Sequence, residues 1–175
     1  MASRMAAMVR RHASAWVILV PAFMLTIVSA CTSLDCPLNN MVYTSYIIYN
    51  TDGERDTLRD TLTVTTMSVA GEEVTLLNRD VDIDSFALAI SYTQDVDVLY
   101  FVFTDSTGVE SRDTVSVSKE NTEHFESTDC TPSYFHTITD VSHTSHVIRS
   151  IEIKNPSVTY DIYTSHFRIY LDADF

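Results

Sequence analysis

VDVLYFVFT, residues 96–104, decides the fold class. β-Branched and aromatic side chains fill it, and these types suit the pleated surface of a strand. The segment is apolar on both faces for much of its length. It predicts a central strand covered from both sides. DSTG at 105–108 supplies a turn, and DTVSVS at 113–118 then alternates apolar with polar. Upstream, the polar connection NRDVDID leads into SFALAIS at 85–91.

The same period of two extends outward. Residues 41–50 (MVYTSYIIYN) are strand-like, and TDGE at 51–54 places Asp-Gly in a turn. Leu62 and Val64 alternate with threonines in 61–67, which with 72–77 (EEVTLL) reads as a hairpin. Residues 134–141 and 146–153 read as a further pair across SHTS. Asn155-Pro156 breaks the run, and FRIYL at 167–171 closes the domain. Gly53, Gly71 and Gly108 all fall where turns are expected. No stretch beyond the first thirty residues carries a helical apolar stripe. Eight or nine short strands with turn signals between them predict an all-β fold. An antiparallel β-sandwich, immunoglobulin-like or related, is preferred, with a closed β-barrel as the alternative. The expected core is Leu62, Val64, Phe86, Leu88, Ile90, Leu99, Phe101, Phe103, Val115, Val117, Ile151, Ile153, Ile169 and Leu171.

The first thirty residues differ from everything after them. Arg4, Arg10 and Arg11 precede an apolar run from Trp16 to Val28, and small residues follow at Ser29 and Ala30. These are the parts of a helical secretory signal peptide, and the run is shorter than the roughly 20 residues that span a bilayer. Val28-Ser29-Ala30-Cys31 resembles the lipobox of bacterial lipoproteins. That resemblance implies cleavage before Cys31, diacylglycerol on its sulfur and acylation of the new N-terminus. Several acyl chains, at about 0.8 kcal/mol per buried CH₂, anchor durably. In such proteins an aspartate after the cysteine signals inner-membrane retention. Thr32 stands there, so the outer membrane is the expected address, its periplasmic or surface face left open. The expected organisation is signal peptide 1–30, lipidated N-terminus and tether 31–40, and one β domain 41–175.

Three of the eleven lysines and arginines lie in residues 1–30, whereas all 24 acidic residues lie beyond them. The mature part therefore carries eight positive against 24 negative charges, a net −16. Such a field repels the phosphate backbones of nucleic acid and anionic lipid head groups alike, which argues against either as a partner.

With Cys31 acylated, Cys36 and Cys130 remain. They are either two free thiols or a pair bonded in an oxidising compartment. A bond would close a loop of nearly a hundred residues, worth up to about 4.7 kcal/mol in the chain-entropy picture.

CPLNNMVYTSY at 36–46, HFESTDC at 124–130, FHTI at 135–138 and SIEIKNPSVTYD at 150–161 together resemble a group of small, uncharacterised Bacteroidetes lipoproteins. Members carry a cysteine pair with a glycine after the second cysteine; here Thr131 takes that place. The resemblance implies export, a single β domain and a bonded Cys36 and Cys130. It implies no activity.

Signals for chemistry are sparse. His143 and His146 form an HxxH, which on a strand would point to opposite faces and in a turn could chelate. Asp80, Asp82 and Asp84 open like an EF-hand loop, but Ser85 and Ser91 stand where that loop needs glycine and glutamate. Tyr43, Tyr46 and Tyr49 would make a glycan platform only in part, since Tyr46 faces away from the other two. There is no G-x-S-x-G, phosphate loop or dinucleotide fingerprint. The sequence therefore predicts a non-enzymatic envelope lipoprotein with no metal or other cofactor. It is held to a membrane through Cys31 and contacts an envelope protein or surface component, its oligomeric state left open. The alternative is a small binding module for a glycan, a metal ion or a hydrophobic ligand.

Overall fold

A computed structural model describes Cys36 and residues 41–172, and among these there is no helix. The expected signal-peptide helix, and the tether apart from Cys36, lie outside the described residues. Ten strands follow one another: β1 (Tyr43–Tyr49), β2 (Thr61–Met67), β3 (Glu73–Asp80), β4 (Ser85–Ala89), β5 (Val96–Thr104), β6 (Glu110–His124), β7 (Ser133–His143), β8 (Ile148–Ile153), β9 (Ser157–Val158) and β10 (Phe167–Leu171). They form a four-stranded sheet in the order β4-β1-β10-β8 and a six-stranded sheet in the order β3-β2-β5-β6-β7-β9. The two share one core, so the fold is the sandwich and not the closed barrel. Every pairing between strands is antiparallel except β1 with β10, where Tyr46 lies beside Phe167 and Ile48 beside Ile169.

Alternation dictates which side chains meet. From β1, Thr44, Tyr46 and Ile48 point inward and are buried. The Tyr46 ring stacks between Phe86 of β4 and Phe167 of β10, at centroid distances of 4.9 and 4.7 Å. Phe101 of β5 meets it edge-on from the other sheet at 6.2 Å. Aromatic pairs in these arrangements add about 0.5–1.5 kcal/mol each beyond the area they bury. The expected core residues are buried, except that Ile90, Ile151 and Ile153 are half-buried at its margin. Tyr46, Leu58, Ile138, Val147, Val158 and Phe167 belong to the core as well.

Two expectations need correction. The first concerns β5, which lies between β2 and β6 but is buried on one face alone; Val98, Tyr100 and Val102 on the other are half-buried. The guanidinium of Arg112, 4.2 Å from the Tyr100 ring centre, covers part of that face. The second concerns 134–141 and 146–153, which do not pair: β7 lies in the large sheet and β8 in the small one. The chain turns a corner at 144–147, and its consecutive Val147 and Ile148 are both buried.

That corner is set from β6. Its inward row runs Asp113, Val115, Val117, Lys119, so that row begins and ends on a charged residue. Asp113 accepts the backbone N–H of His146, Val147 and Ile148 at 2.8–2.9 Å. It also accepts the Thr144 hydroxyl at 2.7 Å and His146 Nδ1 at 3.1 Å. Burial alone would raise its pKa, but these donors, Ile148 foremost, hold it down to about 2. Backbone groups that a hairpin would spend on a neighbouring strand are spent here on a carboxylate.

Candidate functional site

At the other end of the inward row, Lys119 is buried and its Nζ lies 2.8 Å from Asp97 Oδ2. The ammonium also donates to the carbonyl of Gln94 at 2.6 Å. The β6–β7 register shifts between Ser118 and Lys119, where β6 passes the segment ahead of β5. Burial raises the Asp97 pKa, outweighing the Lys119 ammonium and the Ser91 N–H that favour its charged form. Asn121 continues the polar group, donating through Nδ2 to the Gln94 carbonyl at 3.1 Å and to Asp95 at 3.3 Å. Its Oδ1 is then turned to His136 Nδ1, 2.7 Å away.

His136 faces inward in phase with Ile138 and is buried. Burial, helped by the Lys119 charge, lowers its pKa to about 4. The ring is therefore neutral at physiological pH.

His136, at the end of this polar group, lines a cleft of about 480 Å³. The start of β7 (Thr131, Pro132, Tyr134, His136), the segment after β4 (Ile90, Ser91, Tyr92) and Met41-Val42 ahead of β1 line it. Registers bring these segments to one end of the sandwich, with Tyr43 beside Ala89 and His124 beside Ser133. The rings of Tyr92 and Tyr134 stack at 4.8 Å with an interplanar angle of 18°, and the Tyr134 hydroxyl donates to Glu123. The size lies in the range of small-molecule sites, and the lining is mainly apolar. At the rim, Cys130 is bonded to Cys36 with their Cα atoms 5.5 Å apart, so the bonded alternative holds and the free-thiol one does not.

A serine and a histidine also meet nearby. The Ser45 hydroxyl lies 3.2 Å from Nδ1 of buried His166. However, that hydroxyl donates to the Thr164 carbonyl at 2.6 Å, and Nδ1 already accepts the Ser45 backbone N–H at 3.0 Å. Nε2 donates to the Ser157 carbonyl at 3.2 Å. The ring thus joins β1 of one sheet to β9 of the other.

The motifs singled out in the sequence are placed apart. His143 Nδ1 contacts the Thr144 carbonyl, and His146 lies on Asp113. Asp84 pairs with Arg55 at 3.0 Å, and Asp82 has a φ of 53°. Among the described residues no three His, Cys, Asp or Glu side chains converge as metal ligands would. Tyr46 is in the core, while Tyr49 meets Tyr170 at a tilt of 35° and lies beneath Arg168. Cys31 lies outside the described residues. The cleft residues Tyr92, Tyr134 and His136 were not anticipated. The available signal was the phase of FHTI, which sets His136 on the face of Ile138.

A family model described as a family of unknown function, DUF6452, matches residues 61–171. The match runs from β2 to the end of β10, leaving β1 and Cys36 outside it. No curated protein and no solved structure matches the chain.

Proposed function

The chain belongs to this family of unknown function, and we propose that it is an exported lipoprotein, anchored through Cys31, whose β domain works without catalysis by contacting another envelope component. The bond between Cys36 and Cys130 carries this reading. Such bonds persist in oxidising compartments outside the cytosol, which is where a lipobox would send the chain. From Cys31 to Cys36 the backbone reaches at most about 18 Å. A lipid anchor at Cys31 would therefore hold the disulfide end of the sandwich, cleft included, close to the membrane. Thr32 after the acylated cysteine favours the outer membrane.

Expression in a bacterial host with a labelled fatty acid tests the anchor. The wild-type chain should take up label and sediment with membranes. Cys31→Ala should take up none and move to the soluble exported fraction. Label on the variant, or none on the wild type, would overturn the proposal.

A second reading is favoured by one observation, the 480 Å³ cleft with its aromatic wall. Here the domain is a binding module for a small, largely apolar ligand.

A further inference from the structure

The lining of the cleft holds an acceptor to which no described residue donates. Asn121 commits its amide nitrogen to Gln94 and Asp95, so the atom it turns to His136 is an oxygen, and Nδ1 must donate to it. In a neutral imidazole the proton on Nδ1 leaves Nε2 as a bare lone pair. No described residue donates to that nitrogen, although His136 is only 4 % exposed. Buried polar atoms in folded proteins are nearly always hydrogen-bonded, and one without a partner is costly. Here the unpaired atom belongs to a ring that lines a cleft large enough for a ligand.

The surroundings define what would complete it. Tyr92 and Tyr134 offer flat faces, and Met41, Ile90 and Pro132 add apolar walls. Charge is disfavoured in both signs. The Lys119 ammonium acts on His136 and repels a cation there. Asp95 accepts from Asn121 and Glu123 from Tyr134, in a domain of net −15, which repels anions. We propose that the cleft binds an uncharged, flat, largely apolar molecule bearing one hydroxyl, which donates its hydrogen bond to Nε2 of His136. This deepens the binding-module reading and stands independently of the lipid on Cys31.

The test compares 1-naphthol with 1-methoxynaphthalene, which has the same rings and no donor. The full chain is made with a non-lipoprotein export signal and Cys31→Ala so that no anchor is present, and binding is followed by calorimetry. Naphthol should bind about tenfold more tightly than the ether, the worth of one hydrogen bond. His136→Phe should erase that preference while keeping affinity for the ether, and Tyr92→Ala should weaken both. In the chain with His136 intact, naphthol should also move the Nε2 nitrogen resonance toward its hydrogen-bonded position, a readout that needs no substitution in the site. Equal affinities with an unmoved Nε2 signal would overturn the role of His136. Failure of both compounds to bind would overturn the cleft as a site, whatever the fate of label at Cys31.

Discussion

Asp113 and Lys119 face the same way from β6, six residues apart with Val115 and Val117 between them, and both are buried charges. They are compensated differently. Asp113 is held by hydrogen bonds from neutral donors in the 144–148 corner, and Lys119 by one opposite charge and one carbonyl. The two ends of one strand face should therefore respond differently to substitution and to pH.

Asp113→Asn should destabilise the domain by about 3 kcal/mol or more. An amide has a single oxygen, so buried N–H groups at Val147 or Ile148 lose their acceptor at about 1–3 kcal/mol each. Urea denaturation measures this. Because the folded pKa lies near 2, below the unfolded value, this carboxylate's contribution is full above about pH 4 and lost as pH falls through 2. The Asn variant should lack that acid limb.

Lys119→Met alone should cost about 3–5 kcal/mol, since it strands Asp97 in the interior. Asp97→Leu with Lys119→Met should recover most of the loss, because a buried ion pair is often no better than apolar packing of similar volume. A double-mutant cycle checks it. A double variant as unstable as the sum of the singles would contradict the account.

His136 and His166 are both held neutral, chiefly by burial that lowers their pKa, to about 4 for His136. A depressed histidine contributes stability that is complete above its unfolded value near 6.5 and is lost as pH falls through the folded one. The urea midpoint should thus decline between pH 7 and 4. Asp97, with its raised pKa, acts in the opposite direction in the lower part of that window. NMR titration of the individual imidazoles separates the contributions, and a His136 that titrates near 6.5 would refute its assigned environment.

Cys36→Ser with Cys130→Ser should lower stability by about 2–4 kcal/mol, less than the chain-entropy ceiling of about 4.7 for so long a loop. The paired N–H shifts of Met41, Tyr92 and Tyr134 should broaden in the same variant, since the bond ties the rim of their cleft.

Strand positions were legible where one side is buried and the other wet. β2 falls on the residues that alternation marks, and β5 and β10 on runs read as strands, although β5 was read as covered on both faces. Legibility failed where a carboxylate some thirty residues away fixes the backbone: nothing local in SHTSHVI says that Asp113 bends it into another sheet. It failed again for Lys119, one residue past the segment read as a strand, whose inward phase only a longer β6 reveals. The cleft was invisible because its walls come from three segments joined only by strand registers.

The parallel contact of β1 with β10 also governs when the small sheet can exist. Its two halves, β4-β1 and β10-β8, come from opposite ends of the chain and meet through that single ladder. β1 and β4 are available early, yet one edge of β1 stays open until residues 167–171 emerge from the ribosome. Loops this long close slowly, and open strand edges attract other chains meanwhile. The small sheet is thus kept from closing until its last strand has been made.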